Sequence, residues 1–141
     1  KIKEGKPKYL TEAQPGHVFN LSSQHNSRAC VIVVEGQFDA VAIDGVAIMH
    51  NEPNETQAAR INALGKEVIV VPDRDKAGLQ LVKAAMHYGW NVAFPDWEPD
   101  IKDCADAVQR YGQLFTMRSI LDTVETSNLK IQLVSRKWIN T

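Results

Sequence analysis

The sequence has little cysteine: Cys30 and Cys104 are the only two among its 141 residues. Two cysteines so far apart along the chain fit neither a disulfide framework nor the closely spaced pairs of a zinc site. Cys30 lies in an apolar run, where a small buried hydrophobe is the simplest interpretation. We therefore expect a protein without disulfides in a reducing compartment, the cytoplasm.

The sequence also lacks a segment that would place it in a membrane. No apolar run approaches the roughly 18 residues that a membrane-spanning helix needs, and no signal peptide is recognisable. An excess of charge of one sign is missing too, because 16 basic residues stand against 17 acidic ones, for a formal net charge of −1. This balance excludes a strongly cationic nucleic-acid module, but it leaves open a local groove or binding through metal ions.

The histidines show no spacing that is typical of zinc or of a catalytic base, and we expect all four to be structural or solvated: His17, His25, His50 and His87. Hydrophobic residues make up 44% of the chain and charged residues 23%, which is typical of one soluble globular domain. Because the chain opens with Lys1 rather than methionine, we expect it to be a piece of a longer protein.

What the sequence does contain is an alternation of apolar runs with helical stretches. Buried strands are predicted where β-branched and other apolar residues run without interruption, at residues 29–34, 46–49, 67–71 and 91–94. Between them, Asn54 and Gln57 form a capping-box pattern at the start of a helix, and glycines end three helices, Gly65, Gly89 and Gly112. Short connections of this kind need right-handed crossovers. The pattern predicts an α/β fold with a four-stranded parallel sheet flanked by helices.

Three parts of the chain differ in character. Residues 1–28 are polar and are interpreted as an irregular lead-in, residues 29–112 carry the strand and helix series, and residues 113–141 form a helical or extended C-terminal tail. In the tail, residues 114–121 suit an amphipathic helix, whereas residues 129–134 suit a strand or a helix. The tail either packs on the sheet edge or binds a partner, and the pattern leaves both open.

Acidic residues follow the ends of the predicted strands. Glu35 follows the first strand, Asp73 and Asp75 follow the third, and further acids follow the fourth, among them Asp96, Glu98, Asp100, Asp103 and Asp106. In a parallel sheet these positions share the carboxyl edge, where open α/β folds bind ligands. Converging carboxylates need a counter-ion, and an oxygen-only donor set favours Mg²⁺ or Mn²⁺. If Glu35 shares that ion with Asp73 and Asp75, the strand order is 2-1-3-4.

A structural explanation of the same acids stays open, because aspartates before a helix often serve as caps. Two glycines lie beside the acids. Gly36 is expected to let the chain turn sharply after Glu35, and Gly78 to permit a close backbone approach in the first turn of the next helix.

Two stretches of the sequence, VIVVEGQFDAVA and VIVVPDRDKAG, resemble the TOPRIM domain of DNA primases, topoisomerases and some nucleases. That family has Glu-Gly-x-x-Asp after its first strand and Asp-x-Asp after its third. The segments DIKDCADAVQRYG and PKYLTEAQP are similar to the primase branch, and spacing and tail look closest to T-even-type phage primases. The sequence departs from the family at Thr11-Glu12 and in the wider spacing of Asp103 and Asp106.

The resemblance implies a role for each matching residue. Glu35 would be the catalytic carboxylate, as metal ligand or base, and Asp73 and Asp75 would hold Mg²⁺ or Mn²⁺. Asp39, Asp103 and Asp106 would bind a second ion, directly or through water. Nucleotide or nucleic-acid phosphates would be met by Lys8, Arg74 and Lys76.

The resemblance also implies an activity, the metal-dependent synthesis of short RNA primers on single-stranded DNA from ribonucleoside triphosphates. Residues 1–28 would then come from a preceding polymerase subdomain, and a replicative helicase would be a partner. The fragment alone would be inactive if it needs the zinc-binding and basic parts of a primase. Other TOPRIM enzymes, nuclease-like or topoisomerase-like, and a non-catalytic helicase-docking module stay as alternatives.

Overall fold

The computed structural model describes residues 15–139, and in that range the four apolar runs and one further strand form a five-stranded sheet. Its strands are β1 (Cys30–Val34), β2 (Val46–Ala47), β3 (Glu67–Val70), β4 (Asn91–Ala93) and β5 (Val124–Glu125). They lie in the order β2-β1-β3-β4-β5. Neighbours among the first four strands are parallel, as predicted, and their order 2-1-3-4 is confirmed. The four-stranded, all-parallel description was incomplete, because β5 adds an antiparallel strand to β4.

In the same range the chain forms six α-helices. They are α1 (Gln37–Ile43), α2 (Glu55–Asn62), α3 (Gly78–Tyr88), α4 (Cys104–Tyr111), α5 (Gln113–Leu121) and α6 (Asn128–Trp138), with a short 3₁₀ turn at Ser22–Gln24. Helix α1 packs against α4 and α5, and α3 packs against α6. Because parallel connections are right-handed, the reversal of direction after β2 places α1 and α2 on opposite faces of the sheet.

The central strand β1 is the reason that one segment of the sequence is apolar without alternation. It pairs with β2 on one side and β3 on the other, and the side chains of Val31 to Val34 are at most 1% exposed. A strand covered by helices on both faces has no solvent side that would favour polar residues.

Local signals define the helix ends that were predicted. The Asn54 side chain accepts a hydrogen bond from the Gln57 N–H at 2.8 Å, and the Gln57 side chain accepts one from the Asn54 N–H at 3.1 Å, which completes the capping box. Helix α3 ends at Gly89, which has a φ of +74°, a conformation that glycine adopts without strain.

The end of the lead-in and the tail both dock on the sheet. The lead-in residue Phe19 bridges Ala47 of β2, with backbone hydrogen bonds of 2.9 and 3.2 Å. In the tail, residues 129–134 belong to helix α6, so of the two predicted alternatives the helix is correct. Buried Ile131 and Trp138 lie on the inner side of that helix. The first part of the lead-in, residues 1–14, lies outside the described residues.

Between residues 15 and 139, none of the helices is long and apolar enough to cross a bilayer.

Candidate metal centre

Glu35 and Asp73 meet at the carboxyl edge of the sheet because their strands are neighbours. Glu35 directly follows β1, and Asp73 lies in the loop after β3. The Glu35 Oε2 accepts a hydrogen bond from the backbone N–H of Asp73 at 3.0 Å. Only 9% of Glu35 is exposed. The Glu35 carboxylate therefore fixes the start of the loop that carries the Asp-x-Asp sequence.

Asp39 reaches the same place from the first turn of α1. Its Oδ1 accepts a hydrogen bond from the backbone N–H of Ala105 at 2.8 Å. Asp103 caps α4, and its Oδ1 accepts from the Asp106 N–H at 2.9 Å. The first turn of α4 thus directs N–H groups at two carboxylates, an arrangement that stabilises negative charge.

Three carboxylates converge at this point. One oxygen each of Asp39, Asp73 and Asp103 lies within 4.8 Å of the other two. The thiol of the neighbouring Cys104 does not offer a soft ligand, because burial, together with the nearby carboxylates, raises the pKa of Cys104 well above its ordinary value. The donor set is therefore made of carboxylate oxygens, and the three residues could hold a hard divalent cation such as Mg²⁺ or Mn²⁺.

Burial and the neighbouring carboxylates raise the pKa values of the acids in the cluster, so ionising several of them together is unfavourable. Burial raises the pKa of Glu35 to about 7, although the hydrogen bond from the Asp73 N–H acts in the opposite direction. Burial also raises the pKa of Asp73 to about 7, and the charge of Glu35 adds to the effect. The pKa of Asp39 rises to about 7, first by burial and then by the charge of Asp103. A bound cation would remove this conflict.

A cavity of about 210 Å³ opens over the acids. It is lined by Glu35, Asp39 and Asp73 and by three residues of the loop after β2, Met49, His50 and Asn51. His50, expected to be structural or solvated, is exposed and is also one of the residues that line the cavity. Its position after a strand, at the edge that carries the acids, was the signal that pointed there.

Two of the acids predicted to bind metal, Asp75 and Asp106, lie outside the cluster of three converging carboxylates. Asp75 is exposed, and its Oδ1 accepts a hydrogen bond from the Gly78 N–H at 3.0 Å at the start of α3. Asp106 accepts a hydrogen bond from the Lys102 N–H at 3.4 Å and lines a neighbouring cavity of about 420 Å³. Neither residue belongs to the group of three converging oxygens.

Of the two glycines singled out, one is required by packing. A Cβ on Gly78 would lie 2.0 Å from the carbonyl oxygen of Asp73, so the close approach predicted there is confirmed. Gly36 has an extended backbone with φ −113°, and a Cβ would meet its nearest atom at 3.9 Å. The chain does bend at Gly36, between β1 and α1, but the conformation of this residue is open to other residues and does not require glycine.

The predicted phosphate-binding cations are in different situations. Lys8 lies outside the described residues, and Lys76 is exposed beside Asp75. The Arg74 side chain is directed at backbone carbonyl groups: its Nε donates to the Trp138 oxygen at 2.8 Å, and its Nη1 donates to the Trp97 oxygen at 3.2 Å. Arg74 is thus engaged within the chain itself.

Solved structures with a similar fold identify its class, since they include catalytic parts of DNA primases. The DnaG catalytic core matches with a TM-score of 0.66 and 20% identity, over 87% of this chain and 44% of that one. The primase of Aquifex aeolicus, solved as its zinc-binding and RNA polymerase domains, matches with a TM-score of 0.62 and 22% identity, over 78% of this chain and 30% of that one. A DnaG primase catalytic domain bound to single-stranded DNA matches with a TM-score of 0.65 and 17% identity, over 87% of this chain and 44% of that one.

The chain therefore has the fold of one part of a DnaG-type primase catalytic core, in agreement with the resemblance seen in the sequence. It spans less than half the length of each of these primase chains. No protein-family model matches the chain. No curated protein matches it either.

Proposed function

We propose that this chain is the TOPRIM part of a DNA primase, which makes short RNA primers on single-stranded DNA by metal-dependent nucleotidyl transfer. The observation that carries the proposal is the convergence of Asp39, Asp73 and Asp103 beside Glu35 in a fold shared with primase catalytic cores. The primase fold supplies the reaction class, and the oxygen-only cluster supplies a place for the ion that such a reaction needs.

Each acid has a proposed task. Asp39, Asp73 and Asp103 would hold Mg²⁺ or Mn²⁺, and the ion would supply charge neutralisation at the attacking and leaving oxygens. Glu35 lines the cavity and holds the loop of Asp73, which suits a further ligand or a base for the 3′-hydroxyl of the growing primer. Asp75 and Asp106 are proposed to bind a second ion, directly or through water.

The substrates follow from the same proposal. Ribonucleoside triphosphates would enter over the cavity, which His50 and Asn51 line together with the acids. Exposed Lys76 and the N-terminal Lys8 are proposed to meet phosphates of nucleotide or template. Single-stranded DNA is the proposed template, and one matching primase domain was solved with single-stranded DNA bound.

Further parts of the proposal concern the protein that would contain this chain. That protein is proposed to be a T-even-type phage primase, which the spacing and tail of the sequence resemble, and to act in DNA replication in the cytoplasm of the host. The tail, residues 113–141, is proposed to lie near the contact with a replicative helicase. The isolated chain would be inactive if template and nucleotide also need the segments that flank residues 29–112.

The deciding experiment measures two activities of the natural full-length protein with Mg²⁺ or Mn²⁺: ribonucleotide incorporation on single-stranded DNA, and nicking of supercoiled DNA. We expect incorporation in the wild type and a loss of at least about 100-fold in Glu35→Gln. The introduced amide keeps an oxygen that accepts the Asp73 N–H, so the fold should survive.

Asp122→Asn is the matched control, because Asp122 is an exposed carboxylate at the C-terminal end of α5 that pairs with Arg118 at 3.6 Å. It should prime like the wild type. DNA nicking without incorporation would replace the primase proposal by a nuclease-like or topoisomerase-like one. Helicase binding with neither activity would leave only a docking module.

A further inference from the structure

Arg74 stands between the two aspartates of the Asp-x-Asp sequence, and its contacts lead away from the cavity. Its backbone N–H donates to the Lys102 oxygen at 2.8 Å. Its side chain donates to the Trp138 oxygen at 2.8 Å and to the Glu98 oxygen at 3.0 Å. The loop after β3 is therefore tied both to the segment after β4 and to the last residue of α6.

The acceptor at the end of α6 is held rigidly. The Trp138 indole N–H donates to the Pro95 oxygen at 2.7 Å, and the side chain is only 6% exposed. Its ring lies 5.7 Å from that of Phe94 and 6.3 Å from that of Trp97. The Arg74 guanidinium lies 5.0 Å from the centroid of the Trp138 ring, a distance at which cation and ring attract.

This anchor acts on the residue that carries a cluster oxygen. Asp73 is fixed on its N-terminal side by the Glu35 carboxylate, and Arg74 is the next residue in the chain. A guanidinium donates in a planar, fixed fork, so that several bonds together define the path of its backbone. Substitution of residues that orient metal ligands without binding the ion typically lowers metal affinity 10–100-fold.

We propose that Arg74 is a positioning residue: by binding the C-terminal end of α6, it sets Asp73 against Asp39 and Asp103, so that metal affinity depends on how α6 is docked. The inference rests on the proposed metal site. It differs from a phosphate-binding role for Arg74, which would alter nucleotide binding and leave metal affinity unchanged. It also differs from a purely structural role, which would lower the thermal midpoint alone.

The test is Mn²⁺ affinity, measured by calorimetry on the 141-residue chain well below the thermal midpoint of each variant. We expect Arg74→Met and Arg74→Lys to bind Mn²⁺ roughly 10-fold more weakly than the wild type. Arg118→Met is the matched control, because that arginine is 82% exposed on α5, and it should bind like the wild type. Lysine keeps the charge and one donor group, so Arg74→Lys serves if the methionine variant does not fold.

A double-variant comparison tests whether the effect passes through α6. Trp138→Leu should also weaken Mn²⁺ binding several-fold, and the double variant with Arg74→Met should bind only about as weakly as the weaker single variant. Losses that multiply would show two independent effects and would overturn the coupling.

Unchanged Mn²⁺ affinity in folded Arg74 variants would overturn the inference, whether or not the KM for nucleotides rises. That result leaves the proposed function intact, since the wild type still binds the ion. A wild-type chain that binds no Mn²⁺ would instead overturn the metal site and this inference together.

Discussion

Asp39 accepts a hydrogen bond from the backbone N–H of Ala105 at 2.8 Å, across 66 residues of chain. The contact joins the first turn of α1 to the first turn of α4, and it turns one oxygen of Asp39 towards a helix N-terminus. Asp103, which caps the same helix, lies beside it. Two helices from distant parts of the sequence are thus held together at the carboxylates.

Substitution of Asp39 separates this structural task from metal binding. Asp39→Asn keeps an oxygen that can accept the Ala105 N–H, so we expect a stable fold with Mn²⁺ affinity reduced at least about 10-fold. Asp39→Ala removes the acceptor and leaves the N–H without a partner, at a cost of about 1–3 kcal/mol. Calorimetric Mn²⁺ titration and thermal unfolding, carried out on both variants, check this. Equal stability of the two variants would contradict the structural role.

The two aspartates of the Asp-x-Asp sequence should respond differently. Asp73 contributes an oxygen to the cluster, whereas exposed Asp75 accepts from the Gly78 N–H. We expect Asp73→Asn to abolish Mn²⁺ binding without loss of stability, because it removes a charge from a crowded group. Asp75→Asn should weaken binding less, although both variants should lose primer synthesis in the full-length protein. Wild-type priming by either one, or tighter Mn²⁺ binding by Asp73→Asn than by Asp75→Asn, would be the contrary result.

Stability of the metal-free chain should fall as pH rises. The pKa values of Glu35, Asp39 and Asp73 are about 7 in the folded state, against ordinary values of 4.5 for glutamate and 3.8 for aspartate. Between these values the folded state holds protons that the unfolded state has released. The stabilisation is therefore complete below about pH 4 and is lost as the pH rises through 7.

Solvent screening reduces each contribution, and we expect the thermal midpoint at pH 8 to lie at least about 4 °C below that at pH 5.5. Mn²⁺ should raise the midpoint at pH 8, because it binds the folded state. The control is Asp39→Asn, in which the slope with pH should be shallower. A midpoint that rises between pH 5.5 and pH 8 in the wild type would show that the buried acids do not govern this range.

Two glycines beside the site should differ in their tolerance of alanine. In Gly78→Ala the new Cβ would lie 2.0 Å from the Asp73 carbonyl oxygen, so the loop must move, with a loss of about 3 kcal/mol or more. In Gly36→Ala the nearest atom to the new Cβ would be the Asp39 Oδ2, at 3.9 Å. This substitution should change stability by less than about 1 kcal/mol. Urea unfolding of both variants measures the difference. A tolerant Gly78 would show that the loop has room that the packing does not indicate.

Much of the sheet could be predicted because its signals are local or are shared by neighbouring strands. Uninterrupted apolar runs indicated the buried strands, and the requirement that Glu35 meet Asp73 gave the order of the first four. Strand β5 was not predicted, because a strand of two residues has no recognisable sequence pattern and its extended conformation depends on pairing with β4. In α6, the apolar residues over 129–134 also suited a strand, but Leu129 and Leu133 are 66% and 51% exposed, and the buried positions follow a helical period.

The sequence predicted where the candidate site lies, at the carboxyl edge of the sheet, but it did not predict which acids form the cluster. Strand ends place Glu35 and Asp73 together whatever the helices do. Which further acids join them depends on how α4 docks on α1, a tertiary contact that brings Asp103 to Asp39. The side chain of Arg74 could not be foreseen for the same reason, since its acceptor lies at the end of α6.

The antiparallel strand β5 has a consequence for anyone who shortens this protein. By pairing with β4, it occupies backbone groups that would otherwise lie open at the border of the sheet. A recombinant product that stops at Gly112 would expose the unpaired edge of β4, together with the indole of Trp97, to solvent. Such open borders recruit strands from other molecules, so the truncated product should precipitate or form oligomers where the longer chain stays monodisperse.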